Sequence, residues 1–207
     1  MSRQAFFEFL GTALMVGLGC GSIFYGASHA WISLTFAFAV MLAILLFGNL
    51  SGAHINPAVS IAFWREGELE NSQLLLYIAG QMTGALVAAI ALGGAGPTVV
   101  ASHLTLIEAF AIEVSISLLL MLSIFAVVRT EPSIVLLAVW VGATVGILAF
   151  LTGPATGASM NPARTFGPNA VSGLWASLLF YGTSTVLGAW FACDIKRITF
   201  PKKQRQD

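Results

Sequence analysis

Two Asn-Pro-Ala triplets, Asn56-Pro57-Ala58 and Asn161-Pro162-Ala163, carry the most chemistry in this sequence. Asn is a preferred helix N-cap, and Pro fits the first helical turn, where its missing N–H needs no partner. Each triplet therefore reads as a loop running into the start of a short helix. A helix start carries unpaired N–H groups and a partial positive charge. The Asn side chain adds amide donors beside it.

Further ionisable residues fall at fixed distances from the triplets. Glu8 and Glu113 each lie 48 residues before the Asn of their own half. Both sit in apolar runs, where a carboxylate is costly and is usually paired or functional. Read functionally, they would form a proton relay, as in a transporter. Arg164 follows Asn161 by three residues, inside the short helix, which favours a pore wall over an ordinary surface charge. His54 precedes Asn56 by two residues and reads as pore-lining, with a core histidine as the bland alternative. His29 and His103 are placed in outer loops with no role, and Glu108 near the outer edge reads as solvated. No catalytic residue, metal site or cofactor is assigned.

The elements that position these groups are apolar. Of 207 residues, 57% are hydrophobic and 9% charged, against about 25% charged in a soluble domain. Net charge is zero, so no basic face for nucleic acid exists. Cys20 and Cys193 sit in separate apolar runs and read as core residues. A spanning helix needs roughly 20 mostly apolar residues. Six segments qualify, at about Ala5–Tyr25, Trp31–Asn49, Ser72–Leu92, Leu104–Val128, Ser133–Leu151 and Leu174–Cys193. The first is too long for a signal peptide and contains Glu8, so it is expected to remain as a membrane helix. Gly142-x-x-x-Gly146 reads as a close-packing pattern. Two shorter apolar segments, running from Ser51 to Trp64 and from Thr156 to Val171, carry the triplets.

Asn161 follows Asn56 by 105 positions, and the same offset aligns Glu8 with Glu113, Thr12 with Ser117, Leu14 with Leu119 and Gly48 with Gly153. This is the mark of a duplication within one domain, with halves of about 1–100 and 101–207. Three spans per half is an odd number, so the second half is expected to be inverted. Inverted repeats with broken helices place their site near the midplane. Of nine Lys and Arg residues, Arg3, Arg65, Arg129, Lys196, Arg197, Lys202, Lys203 and Arg205 fall on one side of this arrangement and only Arg164 on the other. The positive-inside rule then puts both termini in the cytoplasm, with the basic tail at the lipid surface. The fold class expected is an all-α membrane protein of six transmembrane helices plus two re-entrant half-helices. Two helix starts facing one pore would repel cations and protons, and exposed loop carbonyls would line its wall. That suits water and small uncharged solutes.

These residues resemble the aquaporin, or major intrinsic protein, family over essentially the whole chain. The resemblance rests on Glu8-x-x-x-Thr12, Ser51-Gly-Ala-His-Ile-Asn-Pro-Ala-Val59, Gln81-x-x-Gly84-Ala85, and Gly157-Ala-Ser-Met-Asn-Pro-Ala-Arg164 with Phe166-Gly-Pro168. It implies a channel rather than an enzyme, usually a homotetramer with one pore per subunit. It also implies that Glu8 and Glu113 serve as loop scaffold instead of a relay, each accepting the otherwise unpaired N–H groups of its half's re-entrant loop. The family's outer constriction falls here on Phe36, Ala149, Ala158 and Arg164. Water-selective members usually carry His where this chain has Ala149. Glycerol-conducting members typically carry Asp where it has Thr165. The resemblance therefore implies a passive channel for water and small neutral solutes such as glycerol, urea or metalloid hydroxides. The rivals are a broken-helix secondary transporter using Glu8 and Glu113, and a non-conducting adhesion element. Short loops and a short tail lean toward a cell membrane of the bacterial inner type.

Overall fold

The computed structural model describes residues 2–199. These form eight α-helices: α1 Arg3–Phe24, α2 His29–Ser51, α3 Pro57–Arg65, α4 Asn71–Ala91, α5 Leu106–Val128, α6 Ile134–Thr156, α7 Pro162–Val171 and α8 Ala176–Thr199. No strand occurs among the described residues. Six of the helices are long and apolar enough to cross a membrane. The other two, α3 with nine residues and α7 with ten, are the helices begun by the Asn-Pro-Ala triplets.

Local signals set the helix starts and stops. Ser2 caps α1 by accepting the Ala5 N–H, and Ser133 caps α6 by accepting that of Leu136. Thr105 and Glu108 form a reciprocal capping box at α5, which satisfies two orphan donors at once. α2 and α6 both stop at a glycine in the left-handed conformation, Gly52 with φ 86° and Gly157 with φ 78°. That conformation turns the chain back toward the bundle interior.

The packing pairs recur in the two halves: α1 lies on α4 as α5 lies on α8, α7 packs on α4 as α3 packs on α8, and α2 meets α6. Small residues bring the backbones together. A Cβ at Gly84 would stand 2.3 Å from the Phe9 carbonyl oxygen, and one at Gly188 would stand 2.3 Å from that of Val114. Gly142 of the glycine pair read from the sequence meets α2 in the same way, 2.7 Å from the Ala37 carbonyl. Large apolar side chains such as Leu34, Phe38, Ile90, Leu151 and Leu179 point outward. This is the arrangement expected where lipid, not water, surrounds the bundle.

Two helices run five or six residues past the end expected from the sequence. α6 continues past Leu151 through Gly153 and Pro154 to Thr156. α8 continues past Cys193 to Thr199. In the second case the added turn is polar but paired. Glu66, just beyond α3, meets Lys196 at 3.2 Å and Arg197 at 3.0 Å, and Arg65 pairs with Asp194. This network ties the end of the half-helix to the last span. Lys202, Lys203 and Arg205 lie outside the described residues.

Candidate functional site: the meeting of two half-helices

Consecutive spans run in opposite directions, so α3 and α7 enter the bundle from opposite ends. Their first residues meet in the middle. Asn56 caps α3 by accepting the Ala58 N–H at 2.9 Å, and Asn161 caps α7 by accepting those of Ala163 at 2.9 Å and Arg164 at 3.3 Å. The amide nitrogens then cross the junction. Asn56 Nδ2 donates to the Met160 carbonyl at 2.9 Å, and Asn161 Nδ2 donates to the Ile55 carbonyl at 2.8 Å. An amide has two N–H donors; Asn56 keeps its second one for the lumen, whereas the second of Asn161 is directed at the sulfur of Met15 at 3.8 Å, a weak acceptor that also lines the cavity.

The loops that deliver these Asn residues are held in an uncommon backbone form. Ala53, Ile55, Ala158 and Met160 have φ of 45°, 45°, 44° and 52°, a region that non-glycine residues rarely visit. The buried carboxylates hold them there. Glu8 accepts from the backbone N–H groups of His54 and Ile55 at 2.9 and 2.6 Å, from Ser51 at 2.7 Å and from Gln81 at 2.8 Å. Glu113 accepts from Ser159 and Met160 N–H at 2.9 and 3.1 Å and from Thr156 at 2.6 Å. Neither carboxylate lines the cavity. Through Ile55 and Met160, each one also steadies the carbonyl that receives the other half's Asn.

One cavity of about 770 Å³ runs past this junction, lined from Gln4, Glu68 and Gln73 at one end to Pro97, Val99 and Ala101 at the other. Asn56, Asn161, His54, Phe36, Ala149, Ala158 and Arg164 all line it. Pro57, Ala58, Pro162 and Ala163 do not; they act as the first turn of each half-helix behind the wall. The His54 ring stacks on Phe63 at 4.8 Å, and its Nδ1 lies 3.1 Å from Ser60 Oγ. Arg164 is buried with its guanidinium 4.9 Å from the Phe36 ring centre, and its Nη1 donates to the Gly96 carbonyl at 2.7 Å. A buried guanidinium needs such partners.

Several supporting groups had no signal in the sequence reading. Gly96 contributes only a backbone oxygen. The segment around it is fixed by Asn169, whose amide side chain accepts from the Thr98 N–H and donates to the Thr98 carbonyl, both at 2.8 Å. Thr165 joins this cluster through Thr98 and Ser159 at 2.9 and 2.6 Å. His29 also departs from its placement in an outer loop. It is the first residue of α2, lines the cavity and bonds to α6. Among the described residues no cluster of His, Cys, Asp or Glu could hold a metal ion.

Six apolar spans, two half-helices meeting at mid-depth and one cavity through their junction define a multi-pass membrane channel. The sequence pattern described as "Major intrinsic protein" matches residues 1–195. The chain is 34% identical over 215 residues to "Aquaporin NIP1-2" of Oryza sativa subsp. japonica, covering 93% of this chain and 71% of that one. It is 35% identical over 212 residues to "Aquaporin-4" of Mus musculus, covering 93% of this chain and 66% of that one. The fold superposes on the crystallographic "aquaglyceroporin from Plasmodium falciparum" with a TM-score of 0.87 at 24% identity, covering 96% and 97% of the two chains. The chain belongs to the major intrinsic protein family; it is a passive membrane channel and not an enzyme.

Proposed function

We propose that the chain is a bidirectional pore for water together with small neutral solutes such as glycerol, urea or undissociated metalloid hydroxides. The observation that carries this reading is the mouth on the Arg164 side. Phe36 and Arg164 face the cavity there beside two alanines, Ala149 and Ala158, and position 149 on α6 carries no ring. The guanidinium and the free Asn56 donor supply a polar wall, and Phe36, Ala149 and Ala158 supply an apolar one. A small polyol or amide, with hydroxyl or N–H on one side and carbon on the other, matches both.

Exclusion of ions and protons follows from the same parts. The positive ends of α3 and α7 and the buried Arg164 charge oppose cations. A permeating water that accepts from the Asn donors at the centre cannot also accept a proton along a continuous chain. A carboxylate relay is disfavoured because Glu8 accepts four donors and Glu113 three, and both face the loops rather than the cavity. The proposal extends to a homotetramer in the cell membrane with both termini on the cytoplasmic side, the latter resting on Arg3, Arg65, Arg129, Lys196 and Arg197 lying together.

Shrinkage of proteoliposomes after an osmotic step tests the reading. Rapid, non-saturating water flux with a low activation energy is expected, along with measurable flux of glycerol, urea or boric acid. Saturable flux coupled to protons would overturn it.

A further inference from the structure

Helix α6 carries a proline at position 154. The N–H of a residue there would pair with the Phe150 carbonyl, and proline has none. His29, at the start of α2, supplies the missing donor: its Nε2 lies 2.8 Å from the Phe150 oxygen. A carbonyl only accepts, so Nε2 carries the proton. In this tautomer Nδ1 carries a lone pair, and it makes no hydrogen bond to any described residue. The ring is clamped in place. It stacks on Phe150 with centroids 5.3 Å apart, and a Cβ at Gly153 would come within 2.8 Å of its Cε1.

Packing alone does not call for an imidazole here. The offset of 105 pairs His29 with Ile134 and Gly153 with Gly48. A Cβ at Gly48 would stand 2.5 Å from Ile134 Cδ1. The other half thus fills the same position, over the same kind of glycine, with an aliphatic chain. Proline 154 accounts for one ring nitrogen and leaves the other. That nitrogen belongs to a ring lining the same cavity as Ala149 and Arg164. Gly153 is one helical turn beyond Ala149, about 6 Å along the axis.

We propose that His29 is a specificity-determining residue of this mouth. Its imidazole, borne by α2, narrows the path one turn outside Ala149 and offers Nδ1 as an acceptor to a passing hydroxyl or amide. The inference rests on the reading of the pore as a path for small neutral solutes.

The test measures glycerol, urea and water permeability in proteoliposomes for His29→Ala, Pro154→Ala and the double variant. Pro154→Ala restores the missing N–H, so the double variant removes the ring without orphaning the Phe150 carbonyl. Truncating the ring to Ala is expected to raise the glycerol-to-water ratio about tenfold in both backgrounds, the low end of what small changes of pocket size produce. A ratio unchanged in the Pro154→Ala background would show that the imidazole is only a helix cap and would overturn the proposal. So would water and glycerol fluxes falling by the same factor. Should His29→Ala fail to reconstitute, His29→Ile copies the packing of Ile134 without the nitrogen; it is expected to lower the ratio, and an unchanged ratio again refutes the proposal. A wild-type pore passing neither glycerol nor urea would instead refute the solute reading, a separate outcome read before any variant is compared.

Discussion

Replacing Glu113 by alanine is expected to damage the second loop far more than removal of one side chain suggests. The Ser159 and Met160 N–H groups, at 2.9 and 3.1 Å, would lose their acceptor inside the protein. The Thr156 hydroxyl can rotate elsewhere, but the two backbone groups cannot. Each orphaned buried donor costs about 1–3 kcal/mol, so the pair costs roughly 2–6 kcal/mol. That is a large part of the typical total of about 5–15 kcal/mol. The φ of 52° at Met160 would also lose what holds it, and Asn56 would lose a fixed partner in the Met160 carbonyl. Glu113→Gln is expected to do about half this harm, because one amide oxygen can still serve Thr156 and Ser159 while Met160 faces an N–H. Thermal unfolding in detergent, followed by water flux per folded protein, should rank wild type above Glu113→Gln above Glu113→Ala in both measurements. Unchanged stability in Glu113→Ala would refute the scaffold argument. Normal stability with loss of proton-driven transport in Glu113→Gln would establish the relay instead.

Ala149→His is expected to suppress glycerol and urea flux more than water flux in the proteoliposome assay; equal loss of both would contradict the proposed role of this position. Mercuric ion should inhibit wild-type water flux weakly, because Cys20 and Cys193 are fully buried, whereas Ala158→Cys should be inhibited strongly and recover with an added thiol. Gly84→Ala should lower thermal stability by about 1–3 kcal/mol, the usual range for overpacking, since its Cβ would stand 2.3 Å from the Phe9 carbonyl oxygen; a stability equal to wild type would mean that α1 and α4 can separate freely.

Much of the scaffold is legible in the sequence because the bilayer imposes a length and the backbone imposes a cap. Runs of about 20 apolar residues become helices, and Asn followed by Pro can only begin one comfortably. The 105-residue offset links each Glu to its loop before any coordinate is known. Helix ends are less legible. Gly153 and Pro154 look like a stop after Leu151, yet α6 continues, with His29 serving the carbonyl that Pro154 leaves open. The sequence places these two residues 125 positions apart, and no local rule joins them. The same holds for Arg164, whose position three after Asn161 suggests a lumen wall but whose direct partner is the carbonyl of Gly96. A backbone oxygen has no residue type to read. Asn169 looks like one more polar residue of a short helix until its side chain is seen clasping both backbone groups of Thr98.

In the proposed reading, the 105-residue offset also separates what would exclude ions from what would choose solutes. Carried through the offset of 105, Phe36, Ala149, Ala158 and Arg164 map onto Val141, Ile44, Ala53 and Val59. All four counterparts line the same cavity. The pore therefore contains two related rings at matching depths, one aromatic and charged, the other wholly aliphatic. The centre is different: both halves contribute an Asn, a capped helix start and a carboxylate-held loop. A barrier to charge needs only positive dipole ends and donors facing a narrow lumen, and two copies of one element supply it. Discrimination among neutral solutes needs an uneven wall, polar on one side and apolar on the other, which two identical rings would merely repeat. In the proposed reading, selectivity sits where the repeats have diverged, and the aliphatic ring at the His54 side presents size but little chemistry to whatever has passed Arg164.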